Sequence, residues 1–201
     1  MTTTSTETES HQIATRMALS ERIISEYQSG LLRFLQDRTG SLSEAEHLLW
    51  GPFLDAILST RRATYSGIGS LRAWSYQVAR NVLYDYLRAA KRERWTGLSN
   101  KQLAHPRSTN ATKRPIWKQT AAGPRLRRLR RELEPKQQDV LFLRFDQDFS
   151  WNEVAEYLND GPFQNEKDLQ RASAAARKCF ERAKRRLKTL FLQAREDGSE
   201  V

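Results

Sequence analysis

Six residues between 77 and 91 have the types and spacing of a surface that holds nucleic acid. Arg80, Asn81, Tyr84, Arg88 and Lys91 follow Gln77 at offsets of 3, 4, 7, 11 and 14. With 3.6 residues per turn those offsets share one face of a helix. Cations neutralise phosphates, the amides of Asn and Gln offer a donor and an acceptor to base edges, and Tyr can stack on an unpaired base. A second set follows near the C-terminal end. Arg171, Lys178, Arg182 and Arg185 fall together, flanked by Arg177, Lys184 and Lys188, with Glu181 nearly alone among them. The plainer alternative for either set is a solvated helix face; it suits the second less, because acids are scarce there.

Composition supports the same chemistry. The 201 residues hold Lys+Arg 34 against Asp+Glu 24, a net charge of +10, which favours a polyanionic partner. One cysteine, Cys179, excludes an internal disulfide framework and a thiolate zinc site. His11, His47 and His105 lie far apart, without ligand spacing. No cofactor, metal or small-molecule substrate is expected. No apolar run approaches membrane length, and MTTTSTETES lacks a signal peptide's basic start and apolar core, so cytoplasm is the expected location. No carboxylate cluster has metal-binding spacing, and no enzyme activity is expected.

The elements that must position these residues read as helices throughout, with no strand-like alternation. Residues 1–19 are expected to be a disordered tail, from the Thr, Ser and Glu of its first ten positions. From about Ser20, Ile23, Ile24, Tyr27, Leu31, Leu32 and Leu35 recur at helical spacing up to a stop at Gly40. Ser43 and Glu46 match a capping box opening a second helix, which Gly51-Pro52 should kink. A loop, Arg61–Ser70, precedes a long helix from Leu71 to about Trp95. Its apolar side carries Leu71, Trp74, Val78 and Val82, widened by Ala79, Leu83, Tyr86 and Leu87. Residues 96–124 are polar, basic and interrupted by Pro106 and Pro115: a flexible linker.

Helices resume over residues 125–195, before a tail at 196–201. Pro135 sits at a first helical position and opens a helix bearing Val140, Leu141, Leu143 and Phe145. Ser150 and Glu153 form a capping box for SWNEVAEYL. Leu169, Ala172, Ala176, Phe180, Ala183, Leu187 and Leu190 make one apolar stripe, capped by Asn165. It predicts a helix from about Glu166 to about Gln193, roughly 40 Å long. The fold class expected is all-α: two small helical domains, 20–95 and 125–195, with a helix-turn-helix in the second. Cys179 borders the stripe and reads as a buried, inert thiol.

LRAWSYQVAR, continuing through Asn81 into DYLRAAKR, resembles region two of bacterial RNA polymerase sigma factors of the extracytoplasmic-function group. RRELEPKQQDVLFL, SWNEVAEYL and RAKRRLK resemble that family's region four, in the right order. The resemblance implies a protein that binds core RNA polymerase, selects promoter DNA and melts it. An anti-sigma factor is a further partner it allows. Under it, Tyr65, Ser66, Arg72, Gln77, Arg80, Asn81, Tyr84, Arg88 and Lys91 would face the minus-ten element. Arg171, Arg177, Lys178, Arg182 and Arg185 would face the minus-thirty-five element. Glu46, His47, Leu49 and Trp50 would contact the polymerase.

Two departures stand out. Where the family reads Ala-Glu-Asp-Leu-Val-Gln-Glu-Val-Phe, this chain has AEHLLWGPF, so the polymerase contact loses charge and gains an aromatic anchor. The segment after SWNEVAEYL exceeds the family's short turn and lengthens the following helix at its front end. Either Gln170, Arg171 and Ser173 then meet the bases, or Arg177 and Lys178 do. The alternative function is a helix-turn-helix regulator that binds duplex DNA without polymerase.

Overall fold

The computed structural model describes residues 3–59, 65–95, 122–159 and 163–196. Among them every regular element is a helix. The chain divides into two compact units, Met1–Ser108 and Thr109–Val201.

The first unit is built on α1, Thr3–Thr39. Ile23, Leu31, Phe34 and Leu35 lie on its inner side and are at most 1% exposed, each contributing about 1.5–3 kcal/mol of burial. The helix begins well before Ser20, which corrects the expected tail over residues 1–19. The packing reason is Arg16, whose guanidinium donates to the carbonyls of Ile57 at 3.0 Å and Ser59 at 2.6 Å. A cation there answers the unpaired carbonyls and negative dipole end of another helix. α1 stops at Gly40, whose φ of 80° suits glycine.

α2 spans Leu42–Leu48, and its cap is Ser41, whose hydroxyl accepts from the Glu44 amide at 3.3 Å. The expected Ser43–Glu46 box is corrected. Both pairs have the right spacing, but Ser41 is the first residue after Gly40, in extended conformation and nearly buried. A π turn, Leu49–Phe53, then carries Pro52, and α3, Leu54–Leu58, follows. A proline there has no N–H and would clash with the Leu48 carbonyl in an ordinary turn, so the wider turn accommodates it. The kink read at Gly51-Pro52 takes this form.

α4, Leu71–Trp95, starts where Ser70 Oγ accepts from the Ala73 amide at 3.2 Å. Leu71, Ala73, Ser75, Tyr76, Val78, Ala79 and Leu83 are buried, a wider face than the apolar stripe alone. Tyr76 meets Phe34 edge-on at 5.6 Å, and Ser75 reaches inside by bonding the Leu71 carbonyl at 2.7 Å. Leu87 is 42% exposed and lies outside the core to which it was assigned.

In the second unit, the last three residues of the expected linker open α5, Ala122–Arg131; residues 96–121 lie outside the described residues. α6, Pro135–Leu141, carries Pro135 in its first turn and runs into a second π turn, Phe142–Asp146. The turn shifts the register, so Phe142 is buried while Phe145 is 63% exposed, correcting the inward assignment of Phe145. Arg130 bonds Asp146 at 2.6 Å with both side chains largely buried, tying α5 to this turn.

α7, Trp151–Leu158, has the Ser150–Glu153 capping box complete. Its Tyr157 donates to the buried Asp139 carboxylate at 2.9 Å. α8 runs Glu166–Glu196; Asn165 caps it, accepting from the Asp168 amide at 2.8 Å. Ala176, Phe180, Ala183 and Leu190 of the expected stripe are buried against the unit. Burial raises the pKa of Cys179 above the usual thiol range.

Candidate nucleic-acid interface

The ridge on α4 exists because the same helix buries its opposite side so fully. Gln77 and Arg80 are half-buried at its base, while Asn81, Tyr84, Arg88 and Lys91 are exposed along its second half. Arg88 pairs with Asp85 at 2.7 Å, but the two side chains are 71% and 75% exposed. Such a pair contributes little stability, and a phosphate can displace the carboxylate.

Arg72 is not brought to this ridge. Its charge acts on Tyr27 of α1 and on Tyr76, placing it on the side turned toward α1. Tyr27 itself is pushed up to about 12, chiefly by burial and then by Glu26.

Tyr65 and Ser66 stand in the loop before α4. The Tyr65 ring rests against Trp74 at 5.5 Å and its hydroxyl donates to the Gly69 carbonyl at 2.8 Å. Ser66 is exposed, with its hydroxyl accepting from the Ile68 amide at 3.4 Å. Tyr65 is therefore half-buried and occupied.

Of the residues expected to meet polymerase, Glu46, His47 and Trp50 are exposed, Trp50 at 47%. Leu49 is 0% exposed. It belongs to the core and is withdrawn from that surface, because the π turn directs Leu49 inward and Trp50 outward.

On α8, Arg171, Arg177, Lys178, Arg182 and Arg185 are all exposed. Their spacing puts Arg171, Lys178, Arg182 and Arg185 in one stripe; Arg177 stands apart, over the Trp151 ring at 5.9 Å. Arg144, at 5.1 Å from the same ring, is a cation that sequence reasoning missed, since its place depends on the π turn. Ser173 is excluded from base contact: it is 2% exposed and donates to Asn152 at 2.7 Å. Among the described residues no His, Cys, Asp or Glu cluster could hold a metal ion, and no helix is long and apolar enough to cross a membrane.

An all-helical chain with two cationic helix faces, one of them interleaved with amides and a tyrosine, is a DNA-binding protein in its class. Residues 23–93, from within α1 to near the end of α4, match the family model of sigma-70 region 2. Over 138 residues the chain is 27% identical to RNA polymerase sigma factor YlaC of Bacillus subtilis (strain 168), covering 69% of this chain and 78% of that protein. These likenesses place the chain among the RNA polymerase sigma factors, in the extracytoplasmic-function group.

Proposed function

We propose that this protein binds core RNA polymerase and directs promoter recognition and melting. The observation that carries the reading is the exposed Asn81–Tyr84–Arg88–Lys91 ridge lying inside the matched region. Melting exchanges base stacking for contacts to separated bases. A face that combines amides, a tyrosine and phosphate-neutralising cations supplies those contacts. Gln77, Arg80, Asn81, Tyr84, Arg88 and Lys91 hold the minus-ten strand. Glu46, His47 and Trp50 meet the polymerase, with Trp50 as the anchor.

In the second unit α7 and α8 act as a helix-turn-helix on the minus-thirty-five duplex. Arg171, Lys178, Arg182 and Arg185 lie along the DNA, with Arg177 beside them. Such a motif reads bases from its second helix while flanking groups hold phosphates. The protein works in the cytoplasm, performs no catalysis itself and needs no cofactor; an anti-sigma factor is a natural antagonist. A second reading, a duplex-binding regulator independent of polymerase, is favoured by the Pro52 turn and the exposed Trp50 where the family carries charge.

Run-off transcription with purified core RNA polymerase on pooled genomic promoter fragments decides between them. Discrete new transcripts dependent on this protein are expected. No transcripts, with duplex binding intact, would select the second reading.

A further inference from the structure

The loop before α4 is tied in a way that presents one apolar side chain. Tyr65 Oη donates to the Gly69 carbonyl at 2.8 Å, closing residues 65–69 on themselves. Within that closure the Ile68 amide donates to Ser66 Oγ at 3.4 Å. Gly67 and Gly69 have φ of 77° and 81°, conformations that a side chain would strain. Behind the loop, the Tyr65 ring lies on Trp74. Ahead of it, Ser70 caps α4 directly. The loop is thus fixed to the helix that bears the ridge.

Ile68 stands between the two glycines and is 62% exposed. It offers no hydrogen-bonding group to a base edge or phosphate. Only apolar surface can stabilise it further. The faces of two bases at an opening step provide such surface, and branched apolar side chains inserted between base pairs unstack and kink duplexes. Tyr65, the aromatic residue of the loop, cannot serve in this way while its ring is against Trp74 and its hydroxyl is engaged.

We propose that Ile68 is an unstacking wedge: it enters a base step as the duplex opens, and the ridge on α4 then holds the separated strand. The proposal rests on the promoter-melting reading above and adds the residue that begins the opening.

The test compares Ile68→Ala and Ile68→Leu with the wild type, in complex with core RNA polymerase, on a fully paired promoter and on the same promoter carrying a pre-opened mismatch bubble. Opening is followed by 2-aminopurine fluorescence, and thermal unfolding confirms that each variant is folded. Expected is opening on paired DNA slowed by roughly 10-fold in Ile68→Ala, near-normal rates in Ile68→Leu, and no difference on the bubble. Equal loss on both templates would overturn the wedge and indicate a polymerase-facing or structural role. No loss on either would overturn it as well. If the wild type itself is silent on both templates, the promoter-melting reading fails, and the wedge fails with it.

Discussion

The two cationic faces are built differently. On α4 the polar residues are mixed: an amide and an arginine are half-buried at the base, and a tyrosine, another amide and two cations project beyond them. On α8 the five residues assigned to DNA are all cationic and all exposed. Half-burial fixes a side chain's direction and suits contacts that discriminate between bases. Full exposure on long, mobile side chains suits phosphates, whose attraction is longer-ranged and less particular about geometry. One chain thereby separates holding a duplex from opening it.

That contrast can be broken by experiment. The largest effect is expected on α8: replacing Lys178, Arg182 and Arg185 together with Ala should weaken duplex binding on the order of a hundredfold at moderate salt. It should also reduce the salt slope of log affinity by about 3. An unchanged slope in a salt titration would remove those residues from the phosphate interface. Next, Tyr84→Ala should cost about 1–3 kcal/mol of affinity for a single-stranded minus-ten oligonucleotide, read by fluorescence anisotropy, with duplex affinity kept. Arg80→Ala with Arg88→Ala should slow promoter opening more than it weakens duplex binding. Equal losses of both would erase the distinction between the two faces.

Smaller effects sharpen the comparison at the polymerase-facing turn. Trp50→Ala should leave the thermal midpoint near wild type and weaken core polymerase binding in a pull-down titration. Leu49→Ala should do the reverse, losing about 2–5 kcal/mol of stability through a buried cavity. Smallest of all, Cys179 should react slowly with iodoacetamide at neutral pH. Burial raises its pKa, so less thiolate is present than in an ordinary exposed thiol. Unfolding in denaturant should restore the ordinary rate.

Local spacing reached far into this structure. The Ser150–Glu153 box, the Asn165 cap, the stop at Gly40 and the stripe on α8 are relations between residues a few positions apart, and each stands in the fold as the spacing implied. A helix's period and its end caps are set within one or two turns, so the sequence by itself determined the helices and the cationic side of each.

Tertiary structure decided the points where a local pattern allowed two answers. Ser41 and Ser43 both fit a capping box, and the end of α1 selected Ser41. Leu49 and Trp50 are both apolar, and the π turn around Pro52 put one inside and the other outside. The turn at Phe142–Asp146 did the same for Phe142 and Phe145. Ser173 looked available on α8 until Asn152 covered it, and the expected tail was held by the carbonyls of Ile57 and Ser59, about forty positions away. In each case the deciding partner lies outside the helical period, or an inserted residue shifts that period, and a repeat of 3.6 residues carries no record of either.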